Sequence, residues 1–189
     1  MIILSYNSRG LGRGIKWAAI RRLNLKHKVD LMCIQETKKK SFDKIICQSM
    51  WGDSTLSWDN VPSAQASSGL LCMWNNLAFE VERRVKGRNF LMLEGRWVKE
   101  NQWLSIVNVY APCDLAGKRA LWDELRQLKV SNPMVYGASL GILTASGVRK
   151  KELAHPKGLL PLLTSQNSMI GYLRWSFRIL SALVQVYLV

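Results

Sequence analysis

Acidic residues run out along this chain. No aspartate follows Asp123, and beyond Glu124 the only acid is Glu152. The last third therefore offers no cluster of carboxylates, the ligand type that a hard divalent cation needs. Histidine is almost as scarce, with His27 and His155 the only two. Four cysteines, Cys33, Cys47, Cys72 and Cys113, stand far apart with no Cys-x-x-Cys pair. That spacing excludes a zinc ribbon or finger. Cys33 and Cys72 sit inside apolar runs and read as buried, reduced thiols of an intracellular protein. The opening Met1-Ile2-Ile3-Leu4-Ser5-Tyr6 lacks a basic stretch before its apolar run, so it reads as a strand and not as a signal peptide. An intracellular address, the nucleus included, is expected.

What the chain has in excess is positive charge. Lys and Arg number 27 against 13 acids, a formal net charge of +14 over 189 residues. The excess is uneven: residues 1–50 hold eleven Lys/Arg against Asp30, Glu36 and Asp43. A basic first third suits a polyanionic partner, most simply DNA or other nucleic acid. It is also what a solvated basic face looks like, because charge alone carries no base readout. With 48% hydrophobic and 21% charged residues the chain is globular and long enough for one sizeable core.

The apolar pattern changes character along the chain. Residues 1–6 read as a strand, followed by a turn rich in glycine (Gly10, Gly12, Gly14) and a helix over 15–27. Val29–Gln35 is a second apolar run, ended by Glu36-Thr37. This strand–helix–strand order predicts an α/β layered protein. A short helix over 41–51 is expected, with Ser41 as its N-cap. Short strands then follow at 55–59, 69–74, 78–85, 90–98 and 103–110. Several alternate apolar with polar, as a half-buried antiparallel sheet requires. Gly87-Arg88-Asn89 suits a hairpin turn. A helix over 115–129, capped by Asp114, and a buried strand over 133–137 complete the regular part. After Gly137 the pattern differs, and 169–189 is apolar apart from Arg174 and Arg178. Two arginines inside such a stretch cost about 2.5–3.5 kcal/mol each in a bilayer. No membrane association is expected, and the segment reads as a helix packed on the truncated core or as an unevolved tail.

Four segments in order carry a family resemblance: Ser5-Tyr6-Asn7-Ser8-Arg9-Gly10-Leu11-Gly12, Cys33-Ile34-Gln35-Glu36-Thr37-Lys38, Ser68-Gly69-Leu70-Leu71-Cys72-Met73-Trp74 and Val107-Asn108-Val109-Tyr110-Ala111-Pro112. Together they resemble the endonuclease/exonuclease/phosphatase superfamily, in particular the endonuclease domain of plant non-LTR (LINE-type) retrotransposon polyproteins, over residues 1–137. The resemblance implies an α/β two-sheet sandwich flanked by helices, truncated here with an incomplete second sheet, and a divergent tail over 138–189. It implies Mg²⁺- or Mn²⁺-dependent hydrolysis of DNA phosphodiesters. Glu36 matches the metal carboxylate, Asn7 the asparagine that positions the site, and Tyr110 the tyrosine near the scissile phosphate. Taken singly, each also has a plain structural reading: a turn-forming Asn, a solvated strand end, a packed strand cap.

The departures from the family pattern weigh as much. The family's next strand ends in Gly-Asp-Phe-Asn, and here the match falls on Gly137-Ala138-Ser139-Leu140. The later Asp and the terminal Ser-Asp-His group have no counterpart. The expected function is thus a degenerate, inactive fragment of a metal-dependent endonuclease, with weak or absent metal binding. The alternative is a non-catalytic basic nucleic-acid-binding remnant. An incomplete second sheet would leave one face of the first sheet open to self-association.

Overall fold

The computed structural model describes residues 1–12, 14–64, 68–131, 140–146 and 185–188. In chain order these form β1 (Ile2–Asn7), α1 (Ile15–His27), β2 (Leu31–Gln35), α2 (Lys44–Trp51), β3 (Leu56–Val61), β4 (Leu70–Asn75), β5 (Phe79–Lys86), β6 (Phe90–Trp97), β7 (Gln102–Tyr110), α3 (Leu115–Ser131), β8 (Leu140–Ser146) and β9 (Gln185–Leu188). Two sheets result. The first has the order β3-β4-β2-β1-β9, and the second, smaller one has β5-β6-β7-β8. The architecture is α/β as the pattern predicts, and it is the two-sheet sandwich that the resemblance implies.

The sheets stack face to face because each offers an apolar side. Ile3, Leu31, Cys33, Cys72 and Trp74 of the first sheet pack with Leu91, Leu93, Leu104 and Ile106 of the second. The far side of the first sheet is covered by the helices α1 and α2, through Ile20, Cys47, Met50 and Trp51 against Leu4, Met32, Ile34 and Met73. The far side of the second sheet meets α3 through Leu121 and Leu125 on Phe90, Met92, Val107 and Val109. The order is helix, sheet, sheet, helix. Among the described residues, β1, β2 and β4 of the first sheet thus carry apolar packing on both faces.

Several sequence expectations shift. The helix α2 starts at Lys44, and its cap is Asp43, not Ser41: the Asp43 carboxylate accepts from the Ile46 N–H at 2.7 Å. A carboxylate at this position satisfies an otherwise orphaned N–H. Asp114 does cap α3, accepting from Gly117 N–H at 2.6 Å. β7 alternates in sequence, yet Leu104 through Val109 are all buried. The reason is that α3 covers the side that a half-exposed sheet would show to water.

The larger differences lie after residue 131. Residues 133–137, expected as a strand, are outside the described residues. The strand parallel to β7 is β8, with Leu104 opposite Leu140 and Tyr110 opposite Ser146. A parallel neighbour needs a crossover, and α3 supplies it. Leu140 therefore enters the sheet at the far end from Tyr110, while Gly137–Ser139, on which the rest of the family match falls, lie outside the described residues. Within 169–189, Gln185–Leu188 is not helical but a strand pairing parallel with β1. Two segments of the expected 138–189 tail thus belong to the sandwich.

Candidate active site

β1 and β2 are parallel and in register, so their last residues, Asn7 and Gln35, lie side by side. Glu36 is the first residue past β2. Parallel strands bring such residues to one carboxyl-end rim, where open α/β sheets gather their functional groups. Asn7 Nδ2 donates to Glu36 Oε1 at 2.8 Å, and Asn7 Oδ1 accepts from the Arg9 N–H at 3.1 Å. The amide is thereby oriented from both ends. Tyr110, the last residue of β7, packs half-buried at the margin of the inter-sheet core.

The backbone at Glu36 is unusual. Its φ is 52°, the left-handed region, which costs an L-residue roughly 1–2 kcal/mol. Neighbours hold it there. Gly10 N–H donates to the Glu36 carbonyl at 2.6 Å. The buried Ser8 hydroxyl lies 2.9 Å from both the Gln35 and Glu36 carbonyl oxygens and shares its proton between them. On the other side, Thr37 N–H donates to Gly69 O at 3.0 Å and Lys38 N–H to Ser68 O at 3.1 Å. Strain of this kind persists only where the surroundings over-determine it, and it clusters at functional sites.

Positive charge surrounds the rim. Lys16 Nζ donates to the carbonyls of Ser8 and Gly10, at 2.8 and 2.5 Å. The Lys38 stem runs over Gly10, where an added Cβ would lie 3.2 Å from Lys38 Cδ. Arg9, Lys38 and Lys40 are exposed, and Lys39 Nζ stands 5.6 Å from the centre of the Trp17 ring. The Tyr110 phenol is held above its ordinary pKa, first by burial and then by the negative charges of Glu36 and Cys113. The phenol therefore stays protonated and able to donate.

The other candidates do not join this rim. His27 ends α1, which carries the chain away from the rim to the start of β2, so it sits at the opposite end of the sheet from Glu36. Glu152 and His155 lie outside the described residues. Cys33, Cys47 and Cys72 are buried free thiols, and Cys113 is exposed. Burial, with the Asp43 charge second, pushes the Cys47 thiol up to about 12. Burial likewise raises Cys72. Neither offers a thiolate nucleophile at neutral pH.

As a cation site, the rim offers the right kind of donor, a carboxylate oxygen, but few of them. Among the described residues no group of three His, Cys, Asp or Glu side chains could hold a metal ion. A lone carboxylate is compatible with Mg²⁺ only where substrate phosphates and water complete the shell. Ser8, Lys16 and Gly69 also support the rim; Ser8 and Gly69 lie inside the segments that carry the resemblance, and no local sequence signal marks the role of Lys16.

No protein-family model matches the chain, and no curated protein sequence does. Solved structures do. Superposition on an endonuclease/exonuclease/phosphatase family protein from Bacteroides thetaiotaomicron gives a TM-score of 0.54 at 13% identity, covering 76% of this chain and 60% of that one. The chain has the endonuclease/exonuclease/phosphatase fold. The mannosyl-6-phosphatase Bt3783 of the same bacterium aligns at 0.56 and 11% identity, over 76% of this chain and 63% of its own. Truncated TDP2 of Caenorhabditis elegans aligns at 0.53 and 16% identity, over 82% and 66%. The chain thus spans less than two thirds of the length of each of these proteins of the endonuclease/exonuclease/phosphatase fold.

Proposed function

We propose that this chain is a degenerate fragment of a metal-dependent DNA endonuclease of retroelement origin, which keeps one half of a phosphodiesterase site and does not cleave DNA by itself. The observation that supports it best is the 2.8 Å hydrogen bond between Asn7 and Glu36 at the rim, made by the residue types that the four ordered segments imply. In this reading Glu36 would hold Mg²⁺ or Mn²⁺, Asn7 orients the carboxylate, and the protonated Tyr110 hydroxyl donates toward a phosphate oxygen. A bound divalent ion supplies polarisation of the phosphate and a more acidic water. The missing half is the base and the groups that orient it. Members of a catalytic unit act together, so losing several removes rate by orders of magnitude and not in proportion.

Incubating supercoiled plasmid with the chain and Mg²⁺ or Mn²⁺ tests this. We expect no more nicked circles than the Glu36→Ala variant produces. Nicking that Glu36→Ala abolishes would overturn the inactive reading.

A second reading, a basic nucleic-acid-binding remnant, is favoured by one further feature. α1 carries no acidic residue, and its exposed Arg21, Arg22 and Lys26 extend the positive charge away from Lys38 and Lys40.

A further inference from the structure

The interior between the two sheets is largely apolar, but one fully buried polar line crosses it. Gln35, on β2, and Asn108, on β7, are 1% and 0% exposed. Gln35 Nε2 donates to Asn108 Oδ1 at 2.7 Å and to Ser5 Oγ on β1 at 3.2 Å. Asn108 Nδ2 lies 3.3 Å from the Leu71 carbonyl on β4 and 3.4 Å from the Ile34 carbonyl on β2. One side chain of the second sheet is thereby bonded to β2 and β4 directly and to β1 through Gln35.

Such a pair is a poor source of stability. Burying an amide costs about 1–3 kcal/mol unless it is satisfied, and exchanging both partners for apolar groups of like shape is often nearly neutral. What hydrogen bonding adds is a single allowed placement, where an apolar contact between sheets can slide. The placement matters at both strand ends. Glu36 follows Gln35 directly, and Tyr110 lies two residues past Asn108, on the same face of β7.

We propose that the Gln35–Asn108 amide pair is the positioning element of the rim, fixing the end of β2 so that Glu36 keeps its left-handed backbone and meets Asn7. This rests on reading Asn7 and Glu36 as one site. It assigns no catalytic contact to either amide, because both act through the residue they place.

The test follows the Asn7 side-chain amide signals of the isotope-labelled full chain. In the parent chain, Glu36→Gln moves those signals away from their starting position. The paired change Gln35→Leu with Asn108→Leu is expected to keep the melting temperature within about 8 °C of the parent. It should nevertheless move the Asn7 signals to the position seen in Glu36→Gln. Exchanging the partners, Gln35→Asn with Asn108→Gln, should bring them back. Parental Asn7 signals in the double-leucine chain overturn the proposal. So does its failure to fold, which would make the pair a folding requirement, and so does a failed rescue by exchange. If Glu36→Gln itself leaves Asn7 unmoved, the shared reading of the site falls first and the proposal with it.

Discussion

At the scale of single residues, the rim is held by atoms that are not themselves candidates for chemistry. Gly69 shows this best. Its φ is +89°, and a Cβ there would run into the Thr37 hydroxyl and come within 3.3 Å of Lys38 N. Glycine is thus required twice, once for backbone conformation and once for space beside the two residues that follow Glu36. We expect Gly69→Ala to lower stability by about 2–4 kcal/mol, the sum of left-handed strain and overpacking, read as a lower urea midpoint. The asparagines also divide by context. Asn7, which ends a strand before a glycine turn, reads locally as a turn-forming asparagine, and only the resemblance singles it out as a site residue. Asn108 sits between Val107 and Val109 and looked like an ordinary alternation of a half-exposed strand. Its bonds to Gln35, Ile34 and Leu71 come from positions 37 to 74 residues away, a separation that local pattern does not encode.

At the scale of elements, period and punctuation carried most of the information. α1 runs over Ile15–His27 as its spacing predicts, and Gly87–Asn89 joins β5 to β6, with Gly87 N–H donating to Phe90 O at 3.0 Å. The cap of α2 lies two residues beyond the expected Ser41, because Ser41 and Asp43 are both good caps and only the three-dimensional course of the chain picks one. Since the Asp43 carboxylate takes the Ile46 N–H, Asp43→Ala should cost about 1 kcal/mol. Thermal melting followed by circular dichroism checks this, and Ser41→Ala should leave the midpoint unchanged. Nothing local marks β8 as a strand, because Ile142-Leu143 is a short apolar run, and a run of that length is ambiguous until its neighbour is known. Pairing with β7 makes Leu140–Ser146 a strand.

At the scale of the whole molecule, charge is the property with the longest reach. A net +14 with an acid-free α1 favours polyanions over distances that contacts do not span. If the rim binds the DNA backbone, affinity for a duplex oligonucleotide should fall linearly on a log–log plot against NaCl. Lys38→Ala with Lys40→Ala should flatten that slope by about 2, close to one unit per phosphate contact removed. Fluorescence anisotropy at several salt concentrations gives the slope, and an unchanged slope would place the DNA elsewhere. Among the described residues, no helix is long and apolar enough to cross a membrane.

The sequence by itself determined the layered α/β class, most element positions and the basic first third. Each of these depends on residues within a few positions of one another, where period, capping and turn chemistry act, whereas Asn7, Glu36 and Tyr110 stand out only through the resemblance of four ordered segments. The tertiary structure alone decided that α3 seals the second sheet, that β8 and β9 join the sandwich from beyond residue 138, and that a buried amide pair ties the sheets behind Glu36. Those depend on surfaces meeting across long stretches of chain. Burial and hydrogen-bond satisfaction choose such partners only when all the layers are in place.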